Sequence, residues 1–129
     1  MESLLLPNLL KFIIPGILLL LTLVSGFWVS QTGKPCNGFL FNIHKLIALG
    51  TVVVTIVQLI QPLKTADSLV LTITGLVVAA ICVVALFASG ALMSAGKLSY
   101  ALMLTVHRIA PAVLVVSLAL AVYELARQL

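Results

Sequence analysis

What this sequence has least of is carboxylate. Glu2, Asp67 and Glu124 are its only three acids, and charged residues of both signs make up 8% of 129 residues. A soluble globular domain carries about 25%. That shortfall, with 63% hydrophobic residues and a mean hydropathy of +1.33, excludes a soluble domain and requires an integral membrane protein. The three acids fall at the ends of the apolar runs, all on one side of the membrane, so none offers the central membrane carboxylate a small multidrug exporter needs. Cysteine is scarce too. Cys36 lies in a polar stretch and Cys82 inside an apolar run, so the two stand at different depths and no disulfide framework or CxxC site is readable. Seven basic residues give a net charge of +4 and a pI near 9.4. They are spread along the chain, which provides no patch for nucleic acid.

What is present is four apolar runs, each long enough to cross about 30 Å of hydrocarbon. Pro7 suits a helix N1 position, and a first span is predicted over about residues 7–30, kinked at Pro15-Gly16, where one backbone donor is missing. The run lacks a basic leading region and carries Glu2 and Pro15, so it is read as a span and not as a signal peptide. A second span follows over about 38–61, closed by Pro62. The third covers about 68–94, capped by Asp67 or Ser68, and the fourth about 100–127, capped by Ser99. Trp28, Tyr100 and Tyr123 mark membrane interfaces. The expected architecture is all-α: one transmembrane domain over 1–129, a four-helix up-and-down bundle of two helical hairpins with both termini on one side, here side A.

One phrase occurs twice in the chain. Gly33-Lys34, nine residues, then His44-Lys45 recurs as Gly96-Lys97, nine residues, then His107-Arg108, an offset of 63 at all four positions. These are the only two histidines. Each sits about two turns inside a span that starts from side B, so the two imidazoles are expected at one depth. A single intramembrane histidine is most simply explained by a hydrogen bond to a neighbouring helix. Two at matched places in a repeat point to shared ligation of one metal.

The missing residue types narrow that metal. Zinc takes four ligands from Cys, His, Asp or Glu, and no acid or thiol is expected level with His44 and His107. A tetrapyrrole brings four nitrogens of its own and needs only two axial imidazoles. On this reading His44 and His107 ligate the iron of one haem b between the second and fourth spans. Gly26 and Gly90, in Ser25-Gly26 and Ser89-Gly90, fall at the same level and leave room for the porphyrin edge, though ordinary close helix contact explains such glycines as well. Lys34, Lys45, Lys97 and Arg108 would surround the propionates about 10 Å above the iron. The same four residues equally fit a positive-inside flank, which by a margin of one basic residue sets side B in the cytoplasm.

The segment His44-Lys45-Leu46-Ile47-Ala48-Leu49-Gly50 resembles the His-Lys-x-x-Gly/Ala helix of bacterial cytochrome b561. The paired-histidine, glycine-lined core is similar to that of cytochrome b in bc complexes. Members of those families carry a second histidine further along each ligand helix for a second haem. The corresponding positions here are Val57 or Gln58 and Leu120 or Ala121, so the resemblance implies one haem only.

The resulting expectation is a single-haem b-type cytochrome of the cell's inner or plasma membrane, in contact with lipid. Bis-histidine ligation fills both open iron positions, which points to electron transfer and away from stand-alone enzyme chemistry. A quinone, a soluble redox protein or a larger membrane complex would complete the circuit. Gln58 and Gln61 could meet a quinone carbonyl, although capping the polar end of their helix accounts for them too. Three alternatives stay open: a haem-bearing anchor subunit of a respiratory complex, a small four-helix transporter, and a haem-free structural membrane protein.

Overall fold

The structure is a computed structural model and describes residues 2–31, 38–67, 69–96 and 99–128. Within these residues every regular element is a helix: α1 (Glu2–Leu10), α2 (Ile13–Gln31), α3 (Gly38–Thr65), α4 (Val70–Ala95) and α5 (Tyr100–Gln128). The fold is therefore all-α, as the composition requires. The last four helices, of 19, 28, 26 and 29 residues, are long and apolar enough to cross a membrane. At 1.5 Å per residue they extend from about 28 to about 43 Å, against about 30 Å of hydrocarbon.

Several boundaries differ from the sequence expectation, and proline explains most of them. The first span is two helices, not one kinked helix. Pro15 has no N–H to give the carbonyl of Lys11, and the chain turns at Lys11 and Phe12, where the Phe12 N–H donates to the Leu9 carbonyl at 2.9 Å. The membrane-spanning part starts at Ile13, and Pro7 lies inside α1 instead of opening a helix. Pro62 does not close α3; the helix continues through it to Thr65. At the start of α4 the capping position is Leu69, with no side-chain hydrogen bond, so Asp67 does not cap it; Ser68 lies outside the described residues. Ser99 does cap α5, accepting the Leu102 N–H at a long 3.5 Å. Gly96 ends α4 in the left-handed region, φ 67°, a conformation glycine adopts without a Cβ penalty, and its N–H closes on the Leu92 carbonyl.

The chain divides into two compact units, Met1–Thr65 and Ala66–Gln128. Each contains one antiparallel hairpin of spanning helices. In the first, α2 and α3 meet at Ser25 with His44 and, further from the loop, at Thr22 with Thr51. In the second, α4 and α5 meet at Ser89 with His107. At mid-height Ala79, Cys82 and Leu114 form an apolar cluster with Val83 and Leu86 against it. Near the opposite end, a Cβ on Gly75 would stand 3.1 Å from both the Ala121 Cβ and the Ser117 carbonyl, a close helix crossing. Large side chains such as Leu20, Ile56, Ile81 and Val116 are exposed. In a bilayer such apolar side chains meet lipid or another apolar helix.

Candidate functional site

His44 lies on α3 and His107 on α5, each about two turns from the start of its helix. Both are half-buried. Each is held by the preceding helix of its own hairpin in the same way. His44 Nδ1 is 3.0 Å from the Ser25 hydroxyl, and His107 Nδ1 is 2.9 Å from the Ser89 hydroxyl. Both serines also donate to a carbonyl one turn back on their own helix, Ser25 to Thr22 at 3.0 Å and Ser89 to Leu86 at 3.2 Å.

The glycine after each serine lies against the ring. A Cβ at Gly26 would stand 2.9 Å from His44 Cε1, and one at Gly90 would stand 3.4 Å from His107 Cε1. The sequence reading gave these glycines to a porphyrin edge; within the protein, the nearest group to each is the imidazole of its own hairpin. A side chain at 26 would enter the space the His44 ring occupies and the ring would have to shift, whereas Gly90 is in ordinary contact.

Below the histidine the hairpins diverge. In the first, the Thr22 and Thr51 hydroxyls are 2.9 Å apart across the helix interface, and each also reaches a carbonyl of its own helix, Leu18 and Ile47 respectively, at 2.8 Å. Shifting by 64 on the first helix and 63 on the second brings Thr22 to Leu86 and Thr51 to Leu114, both in the apolar cluster of the second hairpin. His44 thus has hydroxyl groups beneath it where His107 has leucines.

Of the four basic residues expected near the site, Lys45 and Arg108 directly follow the histidines and are exposed. Lys45 Nζ lies 5.5 Å from the centre of the Phe41 ring. Lys34 and Lys97 lie outside the described residues, as do Gly33 and Cys36. Among the described residues no three His, Cys, Asp or Glu side chains come together.

Sequence reasoning allowed a hydroxyl on a neighbouring helix as the partner of such a histidine, and the structure gives each histidine one, Ser25 or Ser89. It did not name those serines as the partners, nor the threonine pair. The hairpin repeat carried the signal: Ser-Gly recurs at an offset of 64 while His recurs at 63.

In comparisons with known proteins, no family model, no curated protein and no solved structure matches this chain.

Proposed function

We propose that this chain is a b-type membrane cytochrome that binds one haem b through His44 and His107 as axial ligands and passes single electrons in a cell's inner or plasma membrane. The observation that carries the reading is the repeated setting of the two histidines: a serine hydroxyl at Nδ1 and a glycine against the ring, in both hairpins. An imidazole whose Nδ1 is engaged by a fixed partner has its orientation and tautomer set in advance, the usual provision for a metal-binding histidine. When bound, the haem supplies a one-electron iron couple.

The residues of the chain do the rest. His44 and His107 would occupy both axial positions and leave none for oxygen or peroxide, which favours electron transfer. Gly26 admits the His44 ring, and Gly90 lies against that of His107. In a bilayer the apolar helices would keep water from the site and hold its dielectric low, while Lys45 and Arg108, directly after the ligands, would bring positive charge to the propionates. Electrons would enter and leave through a quinone or a partner protein at the membrane surface.

The test is substitution of each ligand. His44→Ala and His107→Ala should each abolish the six-coordinate low-spin absorption spectrum, because loss of either imidazole opens an axial position. A single variant that kept the wild-type spectrum would remove that histidine from the iron.

A further inference from the structure

The geometry points to Ser25 and Ser89 as positioning residues that hold the proton of His44 and His107 on Nδ1 and so present the lone pair on Nε2. This rests on the reading of the two histidines as axial ligands and adds to it the groups that decide which ring nitrogen can bind a metal.

A hydroxyl has one proton and two acceptor lone pairs, while a carbonyl can only accept. The Ser25 Oγ stands 3.0 Å from the Thr22 carbonyl oxygen and 3.0 Å from His44 Nδ1. With the hydroxyl proton given to the carbonyl, the second contact is a hydrogen bond only if Nδ1–H donates to the serine oxygen. Three groups then make two bonds. If the serine turned its proton to a bare Nδ1, the same three groups would make one. In a low-dielectric membrane interior that difference favours the Nδ1–H tautomer.

The second hairpin repeats the arrangement with the Leu86 carbonyl at 3.2 Å and His107 Nδ1 at 2.9 Å. The serine and histidine are 19 residues apart in one hairpin and 18 in the other, so the same three groups meet despite different connections. Ser89 is 2% exposed, which leaves its hydroxyl no water to turn to.

An acceptor on Nδ1–H makes the imidazole a stronger donor at Nε2 and favours the ferric state. Its loss should shift the balance toward ferrous.

The experiment uses the full chain in lipid nanodiscs, with 15N-labelled histidine. Before haem is added, at a pH of about 8 where an ordinary imidazole is neutral, both histidines should give nitrogen shifts of the Nδ1–H tautomer. Ser89→Ala should convert His107 to a mixture and Ser25→Ala should convert His44 to a lesser extent, because the Thr22 carbonyl also accepts from that ring, and Ser25→Thr and Ser89→Thr, which keep the hydroxyl, should restore both. With haem bound, each alanine variant should change the ferric-to-ferrous ratio at fixed potential severalfold, raising the midpoint, where tenfold corresponds to about 59 mV. Wild-type histidines in the Nε2–H form, or alanine variants identical to wild type in both readouts, would overturn the assignment. A chain that took up no haem yet showed the serine-dependent Nδ1–H tautomer would uphold it and remove only the haem reading.

Discussion

A methyl group added at Gly26 would meet His44 Cε1 at 2.9 Å, and one added at Gly90 would meet His107 Cε1 at 3.4 Å. The first is closer than real Cβ contacts come, the second is ordinary van der Waals contact, and the difference yields a prediction that separates two explanations of the same glycines. If each glycine seats its own histidine, Gly26→Ala should displace the His44 ring and lower haem occupancy, while Gly90→Ala should bind haem as wild type does. Were a porphyrin edge the reason for both, the two alanine variants would lose haem alike. Haem per chain, measured after extraction, decides between these outcomes. Larger residues remove the distinction: Gly26→Leu and Gly90→Leu should both fail to fill, since neither ring can retreat by the length of a leucine side chain.

At the scale of the helix, most of what the chain builds could be read from its letters, and the exceptions share a cause. Four spans, their order and the place of each histidine about two turns inside its helix follow from apolar length and from the repeated Gly-Lys and His-Lys/Arg spacing, because hydrocarbon thickness leaves few other solutions. Helix ends were harder to read. A proline marks where a donor is missing, but whether the helix stops there, as near Pro15, or continues, as through Pro62, depends on which carbonyls find other partners. Restoring the donor with Pro15→Ala should join α1 to α2, and amide exchange at residues 11–16 should slow. Exchange as fast as wild type would place the cause of the break elsewhere. Partners across a hairpin were also beyond the sequence, since which side chain of α2 meets which of α3 is set by rotation about the helix axes. The Thr22–Thr51 contact is of this kind. Thr51→Val removes the buried hydroxyl without changing its shape, and unfolding in mixed micelles should show a loss of about 0.6 kcal/mol, the average for interhelical hydrogen bonds in a membrane. Thr22 can still donate to its own helix, so a loss above about 1.7 kcal/mol would mean the pair does more than join two helices.

For the molecule as a whole, the account requires two hairpins of one pattern, each serving one ligand, with positive charge on the side of the membrane where the histidines lie. Lys45 and Arg108 directly follow the proposed ligands, and Lys34 and Lys97 hold matched places in the sequence repeat. Ferric haem carries one more positive charge than ferrous, so neutralising a nearby cation should stabilise the ferric form and lower the midpoint potential by some tens of millivolts. Lys45→Gln and Arg108→Gln should act more strongly than Lys34→Gln and Lys97→Gln, whose expected loop positions put more screening water between charge and iron. Four unchanged potentials, with altered topology reporters, would assign these residues to membrane orientation alone. Co-purification with a flavin or iron–sulfur subunit would make the chain an anchor in a larger complex without changing its ligands. Haem binding itself is tested by a reduced-minus-oxidised absorption spectrum of the purified chain, produced with adequate haem supply, together with extraction and quantification. A low-spin six-coordinate b-type spectrum at one haem per chain is expected; a colourless, folded protein would rule the haem reading out.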